Sequence, residues 1–129
     1  MKYVDVNVFV YWLTSDPKFG DRATEIIKRI EKGEKALTST LTVWLTHIVL
    51  KNATENYSEE NLVKSFKELT GLKIVDLTFK DFEKALTYSK EYNLDLEDSI
   101  HFAVATRFGI REIYSNDEDF DKTPLKRIF

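Results

Sequence analysis

Four short apolar runs, Lys2–Val6, Lys35–Thr38, Leu72–Leu77 and Glu112–Ser115, are separated by longer stretches whose apolar residues recur every three or four positions. The short runs are rich in β-branched residues and close on polar or turn residues, so they read as strands. The longer stretches carry the period of a helix with one apolar face. Parallel strands need a crossover between them, and a helix is the usual one. The alternation therefore predicts an α/β sandwich: a mostly parallel sheet of four to five strands, helices on both faces, and the first strand central. Lys126-Arg127-Ile128-Phe129 is the candidate for a further, edge strand.

The boundaries follow from capping and turn residues. Asn7 is expected to cap a short apolar helix of Val8, Phe9, Tyr11, Trp12 and Leu13. Ser15-Asp16-Pro17 should open a second helix, with Pro17 near its first position and Lys32-Gly33 at its end. Ser39 or Thr40, Ser58, Thr78 and Asp95 are the next caps, and Gly71 and Gly109 are read as stops. Predicted inward faces include Leu41, Leu45, Ile48 and Val49; Leu62, Val63, Phe66 and Leu69; Phe82, Ala85, Leu86 and Tyr88; and Ile100, Ala103, Val104 and Phe108.

Composition narrows the function classes. A chain of 129 residues with 43% hydrophobic content has enough apolar side chains for one domain spanning 1–129. It has no cysteine, so disulfides and Cys-ligated zinc are excluded, as a reducing cytoplasm would favour. No apolar run approaches the roughly 18 residues of a membrane span. The net charge of −3 gives no basic footprint for a generic nucleic-acid binder. A nucleic-acid ligand would need bound metal or local Lys and Arg to offset the acid.

The acid is concentrated at element boundaries: Asp5 after the first run, Asp98 at the head of the late helix, and Asp117 after the fourth run. Ligand sites of open α/β sheets form beyond the carboxyl ends of the strands. Carboxylates brought together there repel unless a hard cation lies between them. Asp5, Asp98 and Asp117 are thus candidate Mg²⁺ or Mn²⁺ ligands for phosphodiester chemistry. Each has a plainer reading as a cap, a first-turn acid or a turn residue. Asp95 reads as the cap of the late helix, and Asp119 and Asp121 as solvated loop acids. His47 and His101 fall on apolar helical faces and read as core or boundary residues. Trp12 and Trp44 read as core or subunit contacts, Lys28-Arg29 and Lys126-Arg127 as solvated pairs, and Arg107 and Arg111 as possible phosphate contacts.

The strand–Asp5–x–Asn7 pattern, Asp98-Ser99-Ile100-His101-Phe102-Ala103-Val104-Ala105 and Ser115-Asn116-Asp117-Glu118-Asp119-Phe120 together resemble the PIN domain. More narrowly, they resemble the small prokaryotic members that act as VapC-type toxins, across essentially the whole chain. The resemblance implies a metal-dependent ribonuclease in which Asp5, Asp98 and Asp117 hold metal and serve catalysis. It implies that Asn7 and Ser115 line the substrate, with RNA as substrate, an antitoxin protein as partner, and a homodimer in the cytoplasm. One departure is plain. The family usually carries a Glu in the helix after the second strand, where this chain reads Ser39-Thr40-Leu41-Thr42-Val43-Trp44-Leu45-Thr46-His47, with Leu45 near the expected position. Glu97 or His47 are the substitutes to consider. The competing function is a catalytically degenerate PIN-like module that binds RNA or protein. A phosphoacceptor receiver domain fits less well, because an acidic pair after the first strand and a Lys after the last are both missing.

Overall fold

The computed structural model describes all of residues 1–129. Its elements are β1 (Lys2–Val4), α1 (Val6–Thr14), α2 (Gly20–Glu31), β2 (Ala36–Ser39), α3 (Thr40–Ala53) and α4 (Glu59–Lys67). β3 (Leu72–Val75), α5 (Phe79–Tyr92), α6 (Leu96–Arg107), β4 (Glu112–Tyr114), a 3₁₀ turn (Glu118–Lys122) and β5 (Lys126–Ile128) follow. The five strands form one sheet in the order β3-β2-β1-β4-β5, and every pairing is parallel. The predicted parallel sheet, central first strand and C-terminal edge strand are all present.

Side chains alternate across the sheet and divide the core in two. Tyr3, Leu37 and Ile113 face α6 and α5 and pack with Ile100, Ala103, Val104 and Ala85. Val4, Ala36 and Tyr114 face the opposite way, against Val8 and Phe9 of α1, Ile26, Ile27 and Ile30 of α2, and Phe66 of α4. The result is three layers, α/β/α. No helix is long and apolar enough to cross a membrane.

Several boundaries differ from expectation, each for a local reason. Asp5, not Asn7, caps α1: its carboxylate accepts the Val6 N–H, which places Asn7 inside the first turn. α2 opens at Gly20, because the Asp16 carboxylate accepts the Lys18 and Phe19 N–H groups and holds Pro17 in a turn ahead of the helix. α4 stops at Lys67, and Gly71 instead lets two segments approach: a Cβ there would overlap the Glu34 carbonyl. Val49, Val63, Phe82, Leu86 and Phe108 are exposed rather than inward.

Candidate metal centre

The sheet topology brings the acidic residues together. β1 pairs with β2 on one side and β4 on the other, so the chain winds outward in both directions from β1. The crevice between the ends of β1 and β4 is the switch point at which doubly wound sheets bind ligands. Asp5 leaves β1 there. Ser115, Asn116 and Asp117 leave β4 beside it, because Val4 and Tyr114 are in register.

Short hydrogen bonds fix this corner. Asp5 is 5% exposed. Its Oδ1 accepts the Val6 N–H at 2.7 Å, and its Oδ2 accepts the Ser115 hydroxyl at 2.8 Å. Ser115 Oγ also accepts the Asp117 N–H at 3.0 Å, so one buried hydroxyl links both strand ends. Asp117 Oδ1 accepts the Asp119 N–H at 2.9 Å and starts the 3₁₀ turn. On α6, Asp95 Oδ1 accepts the Asp98 N–H at 2.8 Å, the cap role read from the sequence. This cap fixes the first turn of α6 with Asp98 buried against the same crevice.

The crevice is a cavity of about 220 Å³. Asp5, Asp98, Asp117, Asn7, Asp95, Glu97 and His101 line it, with Val6, Leu45 and Val49 as an apolar wall. No Lys or Arg is among them. Carboxylate oxygens of Asp98, Asp117 and Asp119 all lie within 4.8 Å of one another. Asp119, read from the sequence as a solvated loop acid, therefore belongs to the tight group. Burial pushes the Asp98 carboxyl up to about 8, and Asp95, Asp117, Asp5 and Asp119 push the same way. The donor set is oxygen only and anionic, which suits a hard divalent cation such as Mg²⁺ or Mn²⁺.

The remaining sequence candidates fall in different places. Ser115 is fully buried, with its hydroxyl joined to Asp5 and Asp117 rather than facing the cavity. Asn7 does line the cavity. His47 lies elsewhere: its Nδ1 is 2.7 Å from the Tyr57 hydroxyl. Arg107 is bound to Asp81 through two 3.0 Å hydrogen bonds and to the Asp76 carbonyl, so it is not a free phosphate contact. Arg127 pairs with Asp121 in the same bidentate way. Trp12 packs on the core, whereas Trp44 is 59% exposed. Leu45 faces the cavity, so the α3 wall offers no carboxylate where the family resemblance expects one.

His101 is the residue that sequence reading placed in the core without a role. It is 2% exposed, its Nδ1 is 2.7 Å from the Tyr3 hydroxyl, and its Nε2 is 3.9 Å from Asp5 Oδ1. Burial holds its imidazole below the usual histidine range, against the upward pull of Asp5. Burial also pushes the Tyr3 phenol up to about 12, so that hydroxyl stays protonated. A signal existed: His101 lies three residues after Asp98, the spacing that puts two side chains on one helix face.

The sequence matches the family described as PIN domain over residues 2–126. Comparison with curated proteins returns no match. Among solved structures, the chain is similar to VapC20 of Mycobacterium tuberculosis, a Sarcin-Ricin loop cleaving toxin, at 17% identity and a TM-score of 0.77. That alignment covers 94% of this chain and 93% of that one. A toxin–antitoxin complex from Klebsiella pneumoniae aligns at 19% identity and TM-score 0.67, covering 98% and 99%. VapBC2 from Rickettsia felis, bound to a DNA fragment from its promoter, aligns at 16% identity and TM-score 0.68, covering 99% and 98%.

Proposed function

The chain belongs to the PIN domain family, and from that premise we propose that it is a divalent-metal-dependent endoribonuclease of VapC toxin type. The observation that carries this reading is the carboxylate-lined cavity at the switch point, with no cation from the protein to balance it. The proposed substrate is single-stranded or structured RNA, and the proposed regulator is an antitoxin protein. Relatives of the same fold support both, one being described as a loop-cleaving toxin and another as part of a toxin–antitoxin complex. A cytoplasmic homodimer is the matching assembly.

Asp98 and Asp117 would hold Mg²⁺ or Mn²⁺ together with Asp119, which completes the tight carboxylate group, and with Asp5, which lines the same cavity. When bound, such an ion acidifies water and neutralises phosphate charge. The protein's own part is positioning. The Val6 N–H and the Ser115 hydroxyl fix Asp5, and Ser115 sets the distance between the ends of β1 and β4. Asn7, which lines the cavity, would donate from its amide to a substrate oxygen. In this reading Ser115 serves the site as a link between the Asp5 carboxylate and the Asp117 backbone N–H.

The test is calorimetric titration with Mn²⁺, paired with cleavage of a single-stranded RNA in the presence and absence of a chelator. Saturable Mn²⁺ binding and chelator-sensitive cleavage are expected of the wild type and lost in Asp5→Asn. Cleavage that persists in chelator, or in Asp5→Asn, rejects the catalytic reading. The apolar wall of Leu45 and Val49 favours a second reading, a degenerate module that binds RNA or protein without cutting. Binding of RNA with no cleavage by either the wild type or Leu45→Glu would decide for it.

A further inference from the structure

Two chains of polar contacts converge on Asp5. One is short and already described: Asp117 N–H to Ser115 Oγ, and Ser115 O–H to Asp5 Oδ2. The other runs beneath the cavity floor. Ser39 stands at the N-cap of α3, yet its hydroxyl makes no capping bond; it lies 3.3 Å from the Tyr3 hydroxyl instead. Tyr3 meets His101 Nδ1 at 2.7 Å, and the far side of that imidazole faces Asp5. Ser39 and Tyr3 are fully buried, and His101 nearly so.

The proton arrangement follows from charge. A neutral imidazole carries one N–H. With the Asp5 carboxylate 3.9 Å from Nε2, the proton is favoured on Nε2, because a bare lone pair there would face an anion. Nδ1 is then the acceptor, the Tyr3 hydroxyl its donor, and Ser39 the donor to Tyr3. Every donor in both chains points toward Asp5. At 3.9 Å the last link is too long for a hydrogen bond and acts as a dipole aimed at a charge. Nε2 has no other hydrogen-bond partner in the protein, and His101 lines the cavity.

We propose that His101, fixed by Tyr3, is a positioning residue that holds the Asp5 carboxylate oriented for the cation. This rests on the metal-dependent reading above. Groups behind a ligating side chain typically change metal affinity ten- to a hundredfold when removed.

The experiment is Mn²⁺ titration of folded protein, with thermal melting as a control for folding, on four chains. Wild type sets the reference. His101→Leu should bind Mn²⁺ about ten- to a hundredfold more weakly while melting as a folded protein. His101→Gln, whose amide can reach the depth of Nε2, should recover most of that loss. Tyr3→Phe keeps the ring and frees the imidazole, so it should fall between the two. RNA cleavage should track affinity across the series. A merely structural histidine gives the opposite pattern: a lower melting temperature with unchanged Mn²⁺ affinity, which overturns the proposal. Equal damage in His101→Gln and His101→Leu also overturns it. If His101→Leu does not fold, Tyr3→Phe decides, and unchanged affinity there ends the inference. Failure of the wild type to bind Mn²⁺ at all removes the metal-dependent reading, and this inference with it.

Discussion

Asp81 in α5 and Asp98 in α6 each stand three residues after a helix cap, Thr78 and Asp95 respectively, in two helices that pack against each other. Both are buried. Their surroundings differ in what answers the charge. Asp81 completes a capping box, accepting the Thr78 N–H at 3.0 Å, and receives both arms of the Arg107 guanidinium. Burial pushes its carboxyl upward, but the Thr78 N–H and then Arg107 outweigh burial and hold it below the usual range. Asp98 receives no such return bond, and Asp95, Asp117, Asp5 and Asp119 add to the effect of burial. The same residue at the same helical position is therefore a closed structural joint in one helix and an open anionic site in the next. A carboxylate that the protein neutralises itself serves the fold; one that it leaves unneutralised is available to a ligand.

The comparison breaks most visibly in activity. Asp98→Asn should lower metal-dependent RNA cleavage by more than about 100-fold, since it removes a proposed ligand from a small donor set. Asp81→Asn should leave the rate per folded molecule unchanged. Assays of both variants under identical Mn²⁺ concentrations check this, and comparable losses in the two would erase the distinction.

Stability should respond with the opposite sign. Asp81→Ala removes a capping bond and strands Arg107, for a loss of about 2 kcal/mol; the one-third exposure of Arg107 limits the figure. Asp98→Asn removes the cost of keeping a proton on a carboxyl that ionises freely in the unfolded chain, and should stabilise the metal-free protein at neutral pH. Chemical denaturation of each variant without divalent ions gives both values.

pH separates the two carboxylates further. In the folded chain Asp98 keeps its proton until pH is about 8, against 3.8 for a free carboxyl. The folded state thus binds more protons across that window, so the contribution of Asp98 to stability declines as pH rises through it. Asp81 is depressed, so its stabilisation is present above its ordinary range and is lost as pH falls through the folded value. Metal-free protein should lose stability between pH about 4 and about 8, and Mn²⁺ should restore more of it at the upper end. A melting series with and without Mn²⁺ that runs flat across this range would contradict the Asp98 assignment.

The same pair explains what could be read from the sequence. Strand–helix alternation specified the layers, and acidic residues at two strand ends and one helix start pointed to Asp5, Asp117 and Asp98. Helix faces were less legible. α6 is buried at every position from Asp98 to Ala105, so no polar side exists to orient it, and His101 looked like one more core residue. α5 shows the converse: Phe82 and Leu86 follow an inward period yet are exposed, because Ala85 and the Asp81–Arg107 pair make up its inner face. Asp119 was missed because its place depends on a 3₁₀ turn set by the Asp117 side chain, which periodicity does not encode.

The smallest effect is the sharpest probe of the electrostatics. After burial, Asp95 is the largest single influence raising the Asp98 carboxyl. It is also the cap of α6, so its charge and its hydrogen bond are normally confounded. Asp95→Ser separates them, because serine caps a helix about as well as aspartate but carries no charge. The cap bond to the Asp98 N–H should survive, so stability should change by only a few tenths of a kcal/mol. Loss of the neighbouring anion should let Asp98 ionise at lower pH than in the wild type. Proton release on Mn²⁺ binding at neutral pH should shrink accordingly, since fewer Asp98 carboxyls would still hold a proton. Carboxyl-detected NMR titration of Asp98, with calorimetry in two buffers of different ionisation enthalpy, measures both. An Asp98 titration unchanged by Asp95→Ser would assign its rise to burial alone, and the open site would then be defined by depth rather than by the crowding of like charges.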